Sequence, residues 1–276
     1  MKTVVISGGN DGIGRGLALT RLERGDRVVV LGRSEEKGKA FLAAAAERGV
    51  ADRAVFIPAD LSLITENRRV VEEIVASFPA VDALVLCARF FRSARYETSE
   101  GFENAFALEY LSRYLLSHGV TDMLEKAEAP VVVNVAGPGV QKPGVRWDDL
   151  QLRRDYNGVL AQMQAGTAND LLGVDYAATR GATGRTRYVL VNPGPTATSF
   201  AGAYDPVTQQ QIDHMKRAGK PVTRAVAPIS EVIDAPPAEP LSAFVEGRRI
   251  GVDDPGLFNR AEATRLAGVT AELLAV

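Results

Sequence analysis

Residues 7–14 read Ser7-Gly8-Gly9-Asn10-Asp11-Gly12-Ile13-Gly14, and they stand between a short apolar run, Val4 to Ile6, and an amphipathic stretch from Gly12 to Leu22. The apolar run predicts a β-strand and the amphipathic stretch predicts a helix. Glycine lets the backbone adopt a positive φ and approach a phosphate closely. The helix start offers unpaired amides and a partial positive charge to a pyrophosphate. Flanked in this way, the glycines favour a dinucleotide-binding loop over an ordinary tight turn.

The same alternation of strand and helix continues along the chain. Short apolar runs predict further strands at 27–31, 55–57, 83–87, 131–133 and 188–191. The patterns between them predict helices, including one with Phe102, Phe106 and Tyr110 and one over much of 156–179. Apolar strands joined by helical crossovers are typical of a parallel sheet that is covered on both faces. We therefore expect a doubly wound, three-layer αβα Rossmann fold, built as one domain over 1–276.

The last third of the chain is less regular. Residues 199–223 are polar, with a helical patch at 209–217, and we expect them to form a lid over the carboxyl ends of the strands, where such folds bind ligands. The stretch 235–240 contains three prolines and is the stiffest break. Residues 249–252 look like a strand that adds to the edge of the same sheet.

Composition excludes several classes of function. The 276 residues carry a net charge of -2, which argues against a nucleic-acid binder. One cysteine excludes an internal disulfide and fits a reducing compartment. No apolar stretch is long enough to span a membrane, and Met1 leads straight into a strand without a signal peptide. These features predict a cytoplasmic protein. Neither histidine has metal-ligand companions, so we expect no metal site.

The end of the second strand indicates which dinucleotide would bind. Arg33 and Ser34 stand where an acidic residue would hold the ribose diol of NAD, and this pair suits the 2'-phosphate of NADP(H). The alternative is that Arg33 is a solvated turn residue. Asp60, followed by Leu61 after the third strand, is placed to accept a hydrogen bond from the adenine amine, or merely to cap the following helix.

Together these residues resemble the short-chain dehydrogenase/reductase family, whose glycine motif reads TGxxxGIG. Ser7 replaces the threonine, while the Asp60-Leu61 pair and the stretch 193–198 also match the family. Residues 101–103, 147–150 and 168–169 are most similar to its retinol-dehydrogenase-like branch. The resemblance implies a set of residues that bind NADP(H), with Thr198 at the nicotinamide carboxamide. The set is Gly8, Asn10, Asp11, Gly12, Ile13, Gly14, Arg33, Ser34, Asp60, Leu61, Ala88, Pro193, Gly194 and Thr198.

The same resemblance implies that the family's catalytic residues are replaced. The position of the tyrosine acid falls on Gln162, that of its lysine partner on Gly166, that of the serine on Gly137, and that of the asparagine on Glu109. The NNAG signature becomes Leu86 to Arg89. Tyr156 is a weak candidate for a displaced acid, because the branch carries a non-catalytic tyrosine there.

Several residues remain as candidates for the altered site. Gln162 either orients a carbonyl or is a polar helix residue in a wet pocket, and Glu109 is the other catalytic candidate. Arg89 either binds a phosphate or an acidic substrate group, or pairs with Glu109, which also has Arg113 at i+4 for a surface pair. His118 is expected to cap its helix. The predicted substrate-binding residues are Arg89, Phe90, Phe91, Tyr204 and His214.

The leading hypothesis is an atypical NADP(H)-dependent oxidoreductase that reduces a ketone or quinone of a bulky, polycyclic secondary metabolite. Such a substrate could stabilise its own developing alkoxide, and Gly137 and Gly166 would widen the pocket. One alternative is a non-redox cyclase or isomerase on the same scaffold. Another is an NADP-binding pseudoenzyme that acts as a regulator. The partner would be a small molecule, and family habit leaves a homodimer open.

Overall fold

A computed structural model describes residues 1–141, 143–180 and 183–275. Its strands and helices alternate along most of the chain. The strands are β1 (Thr3–Ser7), β2 (Arg27–Gly32), β3 (Ala54–Pro58), β4 (Ala83–Leu86), β5 (Phe91–Arg92), β6 (Val131–Val135), β7 (Arg187–Asn192), β8 (Gly202–Ala203), β9 (Leu241–Val245) and β10 (Arg248–Ile250). The helices are α1 (Gly12–Glu23), α2 (Glu35–Glu47), α3 (Ile64–Ser77), α4 (Asn104–Phe106), α5 (Ser112–Gly119), α6 (Thr121–Leu124), α7 (Gly158–Thr179), α8 (Pro206–Ala218), α9 (Val222–Asp234) and α10 (Arg260–Leu274).

Eight strands form one sheet in the order β10-β9-β7-β6-β4-β1-β2-β3. All neighbours in it are parallel except β10, which runs antiparallel to β9. The chain builds outward from β1 to β3 and then returns to place β4 on the other side of β1. The crevice for a ligand is therefore expected at the carboxyl ends of β1 and β4, where the strand order reverses. The predicted doubly wound fold is confirmed.

Side chains that alternate along the buried strands divide the core into two layers. Val4 and Ile6 of β1 pack with Leu17 of α1 and Ile229 of α9 on one face. Val5 packs on the opposite face, in the cluster that contains residues of α3, α5, α7 and α10. All five of these side chains are fully buried, which is the arrangement that the apolar runs predicted.

The helix predicted with Phe102 begins later and is interrupted. The carboxylate of Glu103 accepts hydrogen bonds from the amides of Ala105, at 2.9 Å, and Phe106, at 2.7 Å, so α4 starts after Glu103. A π-helical turn, Ala107–Leu111, then separates α4 from α5. One extra residue in such a turn shifts the direction of the side chains, and π turns are frequent at functional sites.

The last third of the chain is more regular than expected. The helical patch at 209–217 is part of the longer α8, whose first turn is capped by Asp205 and starts with Pro206. The strand-like residues 249–252 correspond to β10, at the edge of the sheet as predicted. The sequence analysis missed β9, α9 and α10, and it also missed a second, two-stranded sheet made of β5 and β8.

The C-terminal helix α10 packs across α7. Leu266 is 1% exposed, and the hydroxyl groups of Tyr110 and Thr270 are 2.7 Å apart. The guanidinium carbon of Arg265 lies 4.1 Å from the centre of the Trp147 ring. Within the described ranges, no helix has both the length and the apolar character needed to cross a bilayer.

Candidate functional site

The glycine loop connects β1 to α1 in a conformation that needs glycine. Gly8 and Gly12 have φ angles of +67° and +49°. A Cβ on Gly8 would lie 2.8 Å from the backbone of Ala88, and one on Gly14 would lie 2.4 Å from the carbonyl oxygen of Gly8. Ile13, in the first turn of α1, packs against the core. The loop is thus closed tightly on the end of β4, which leaves the helix start facing the crevice.

Asp11 joins the glycine loop to two other elements. One carboxylate oxygen caps α1 by accepting from the Gly12 amide at 2.8 Å. The other accepts from the ammonium of Lys37, on α2, and from the hydroxyl of Ser199 at 2.7 Å. Burial opposes the effect, but these hydrogen bonds hold the pKa of Asp11 below its ordinary value. Because Ser199 begins the expected lid, Asp11 connects that segment to the glycine loop.

Asn10 fixes the turn after β2 against the same loop. Its buried side chain donates to the carbonyl of Ser34 at 3.2 Å. A Cβ on Gly32 would lie 2.5 Å from the side-chain oxygen of Asn10, so glycine is needed there for the close approach. The hydroxyl of Ser34 accepts from the Lys37 amide at 3.2 Å and caps α2. The turn is therefore rigid, with the start of α2 at the crevice.

Arg33 and Asp60 lie together at the ends of β2 and β3. A guanidinium nitrogen of Arg33 is 3.6 Å from a carboxylate oxygen of Asp60, and the Arg33 side chain is 54% exposed, so it can still receive a ligand. The other Asp60 oxygen accepts from the amide and hydroxyl of Ser62, and Leu61 is buried. The alternative that Asp60 caps α3 is wrong, because Glu100 accepts from the first amides of that helix.

The segment after β7 closes the opposite side of the crevice. Pro193 is buried, and Gly194 has a φ of +73°. The methyl group of Thr198 lies 3.2 Å from where a Cβ on Gly12 would stand. The structure thus brings the two predicted cofactor segments into contact.

A chain of three side chains crosses the candidate catalytic end. The Nε of Arg89 donates to the amide oxygen of Gln162, and the amide nitrogen of Gln162 donates to Glu109. Arg89 also lies 3.7 Å from the second oxygen of Glu109. Since one end of the amide faces a donor and the other an acceptor, the orientation of Gln162 is fixed. Burial raises the pKa of Glu109, and the charges of Arg89 and Arg113 oppose that rise.

Arg113 is buried beneath this chain, so the predicted surface pair with Glu109 is wrong. Its guanidinium donates to the side chain of Asn134, to the Val135 carbonyl at 2.8 Å and to the Ala88 carbonyl at 3.1 Å. It therefore joins the carboxyl ends of β4 and β6. The π-helical turn that contains Glu109 places Glu109 and Arg113 on the inner side of the helix. Their i,i+4 spacing had indicated a pair on the surface of a regular helix.

The other positions implied by the resemblance carry no acid. Gly137 follows β6 by two residues and has no side chain that could donate a proton. Gly166 is half-buried on α7, one turn after Gln162. The hydroxyl of Tyr156 is 3.2 Å from Glu103 and 3.4 Å from the Arg92 carbonyl, and burial raises its pKa. Tyr156 is therefore poorly placed and poorly suited to donate a proton here.

An aromatic pair covers this end of the crevice. The rings of Phe91 and Tyr204 stack with centres 5.4 Å apart, where β5 pairs with β8. Phe90 points toward the cofactor side, with the guanidinium carbons of Arg33 and Arg92 at 5.3 and 4.9 Å from its ring centre. The predicted substrate-binding aromatics are thus split between the lid contact and the nucleotide end.

The two histidines lie apart from this cluster. His214 is exposed on α8, about 200° around the helix from the buried Ile212, so it does not join the other substrate-binding candidates. His118 does not cap α5 as expected but packs between Tyr114 and Tyr176, with ring centres 4.4 and 5.3 Å away. In the part of the chain that the structure describes, no three potential metal ligands are grouped together.

The sequence patterns did not indicate Lys37 or Ser199 as residues of the site. They did indicate Arg113, but at the surface and not in its buried position. Lys37 follows Arg33 and Ser34 on the first turn of α2, and that spacing could have indicated it. The contacts of Ser199 and Arg113 cross more than 20 positions of sequence, so no local pattern signals them.

A cavity of about 240 Å³ lies away from the crevice, between α9 and the strands β7 and β9.

The nucleotide end fits NADP(H). The tight glycine loop, the start of α1 and the exposed Arg33 offer a backbone cradle and a cation. The carboxylate of Asp11 would repel a phosphate, but its ion pair with Lys37 offsets that charge.

Comparison with known proteins identifies the family. The family model described as short chain dehydrogenase matches residues 2–148. Human retinol dehydrogenase 14 is 29% identical over 213 residues, which cover 72% of this chain and 63% of that protein. Human polyprenol dehydrogenase is 27% identical over 171 residues, which cover 60% of this chain and 52% of that protein. The chain thus spans between half and two thirds of these relatives.

Solved structures share the fold at lower identity. A short chain dehydrogenase from Shigella flexneri, complexed with NADP, superposes with a TM-score of 0.66. The match covers 90% of this chain and 97% of that one at 17% sequence identity, so it supports the fold alone.

Proposed function

Because this chain belongs to the short-chain dehydrogenase family, we propose that it is an NADP(H)-dependent oxidoreductase that reduces a ketone or quinone group. The observation that carries the proposal is the exposed Arg33 guanidinium beside Ser34 and Asp60, at the end of a tight glycine loop. A cation at that place suits the 2'-phosphate that distinguishes NADP(H) from NAD(H).

The chain's own residues would hold the cofactor at three places. Amides of the glycine loop and the start of α1 would bind the pyrophosphate, and Arg33 and Ser34 the 2'-phosphate. Asp60 would accept from the adenine amine, and Thr198 would contact the nicotinamide carboxamide. The bound cofactor supplies hydride, while the protein orients the two reactants.

The catalytic end would orient and polarise the substrate without donating a proton. The amide of Gln162 cannot give up a proton, and it is held between Arg89 and Glu109. The positive charge of Arg89 would stabilise negative charge that develops on the carbonyl oxygen. Water would supply the proton that the carbonyl oxygen gains and would be left as hydroxide. Positioning by Gln162 and the charge of Arg89 would together replace the acid.

The substrate we propose is bulky and polycyclic, as in secondary metabolism. Glycines at positions 137 and 166, where the family carries larger side chains, support a wide site, as does the aromatic pair of Phe91 and Tyr204. Such a molecule can carry a phenol beside its ketone, which would stabilise the alkoxide internally.

Turnover with a panel of quinones and polycyclic aromatic ketones tests the proposal. We expect oxidation of NADPH, followed by its absorbance, with at least one of them and above a protein-free control. The double variant Gln162→Tyr with Gly166→Lys should not raise the rate on that substrate more than a few-fold. A large gain would contradict catalysis without an acid. Tight NADPH binding with no turnover on any compound would contradict the reductase and favour a regulator.

A further inference from the structure

The guanidinium of Arg89 donates a hydrogen bond through its Nε, on the side that faces α7. Its Nε donates to Gln162 and lies 3.7 Å from Glu109. Among residues 1–141, 143–180 and 183–275, no acceptor lies within hydrogen-bonding distance of its two terminal nitrogens. An arginine that serves only to neutralise a carboxylate presents its fork of two nitrogens to that group. Here the Glu109 carboxylate is instead bound by Gln162 and faced by the Phe90 amide, at 3.4 Å.

The positive charge that a ligand could reach at this end belongs to Arg89. Arg89 and Arg113 both act electrostatically on the carboxyl group of Glu109. Arg113 is 3% exposed, and its guanidinium donates to the carbonyl groups at the ends of β4 and β6. The Arg89 side chain, in contrast, is 64% exposed.

A stacked aromatic pair lies near Arg89 along the chain. Phe91 follows Arg89 by two residues and stacks on Tyr204 of the lid. Burial raises the pKa of Tyr204, and the charge of Arg89 opposes that rise, so the guanidinium lies within electrostatic range of the ring. A cation beside flat apolar rings is a surface that an aromatic acid would complement.

We infer that the substrate carries a carboxylate on its aromatic ring system and that the terminal nitrogens of Arg89 bind it, with Gln162 and Glu109 as positioning residues. The inference rests on the proposed function, because it names the substrate class of that site. Gln162 holds Nε so that the fork faces outward from α7, and Glu109 anchors Gln162 in turn.

A phosphate of the cofactor is a second anion that Arg89 could meet. The geometry favours the substrate, since the Arg89 side chain lies against α7 while the neighbouring Phe90 ring extends to Arg33 at the nucleotide end. An experiment must nevertheless follow both ligands.

The test compares 2-naphthoate with 2-naphthamide, which has the same shape without the charge. Affinities are measured by ligand-observed NMR titration of the full chain, with and without saturating NADP⁺. We expect the carboxylate to bind at least about tenfold more tightly than the amide in one or both conditions. The preference should vanish in Arg89→Gln and persist in part in Arg89→Lys. It should remain in Arg248→Gln, since Arg248 is an exposed arginine on the edge strand β10.

Each other outcome has a defined meaning. No binding of either naphthalene, or equal binding of both, overturns the inference. It is also overturned if Arg89→Gln weakens NADPH binding and leaves the carboxylate preference intact, because Arg89 would then serve the cofactor. Circular dichroism of each variant confirms its fold. If the preference for the carboxylate is absent while NADPH binding and turnover are intact, the inference fails and the proposed reductase function stands. If NADPH binding is absent while the preference is retained, the inference stands and the proposed reductase function fails.

Discussion

At the scale of single residues, Arg113 shows how the site is supported from below. Its guanidinium bridges the ends of β4 and β6 and sits next to Glu109 in the buried layer. Burial lowers the pKa of Arg113, and the charge of Glu109 opposes that change. Removing the guanidinium would leave the carbonyl groups of Ala88 and Val135 without this donor in a buried place, which costs free energy of unfolding. The crevice floor is therefore a charged network rather than an apolar layer.

His118 gives the molecule a predicted acid sensitivity. Burial, aided by the charge of Arg180, lowers the pKa of His118 from 6.5 to about 4. Above pH 6.5 the imidazole is neutral in both the folded and the unfolded chain. As the pH falls from 6.5 toward 4, the unfolded chain binds a proton that the folded chain refuses, so stability is lost.

The variant His118→Phe, which keeps a ring between Tyr114 and Tyr176, isolates this effect. Urea unfolding at pH 7.5 and pH 5.0 should show that wild type loses about 2 kcal/mol relative to the variant at the lower pH. Other titrating groups are common to both proteins and cancel in the difference. The same stability difference at both pH values would contradict a neutral, buried imidazole.

Individual residues differed in how far the sequence predicted them. Gly8, Gly12 and Arg33 lie at the crevice as their motifs indicated, because a local turn fixes each of them. The hydrogen bonds that connect Arg89 to Gln162 and Gln162 to Glu109 were not predicted. The sequence indicated only a pair of Arg89 with Glu109. Which residues meet across 53 or 73 positions of sequence depends on tertiary packing, so local patterns cannot decide it.

At the scale of elements, the strands and α10 mark the two extremes of predictability. Six of the parallel strands, β1 to β4, β6 and β7, were predicted within one or two residues of their ends, because they are short, apolar and bounded by turns, whereas the parallel strand β9 was not predicted. In α9, Pro228 lies inside the helix and reads as a breaker, and α10 was not recognised. The pairing of β5 with β8 covers two residues each, which is too short for any periodicity.

Helix α10 is expected to contribute strongly to stability through its packing on α7. The variant Leu266→Ala should lower the free energy of unfolding by about 2–5 kcal/mol, since Leu266 is 1% exposed. Glu272→Ala, at an exposed position of the same helix, should change it by no more than about 0.5 kcal/mol. Urea denaturation measures both. Equal effects would mean that α10 is not packed as described.

At the scale of the whole molecule, the proposed nucleotide end, with its glycine loop and Arg33, lies beside the proposed catalytic end around Arg89. The sheet order places both at the carboxyl ends of β1 and β4, and the Ser199–Asp11 contact joins the lid segment to them. Fold and family follow from the strand pattern and the glycine motif. The chemistry does not, because function depends on the side chains at the site.

The central claim is that this scaffold binds NADP(H), and calorimetric titration with NADPH and separately with NADH tests it most directly. We predict that NADPH binds at least about tenfold more tightly than NADH, and that Arg33→Ala removes the difference while Arg248→Ala preserves it. Equal affinity for the two nucleotides would contradict the role of Arg33. Binding of neither would contradict the account as a whole, and a non-redox enzyme on this scaffold would then explain the altered site better.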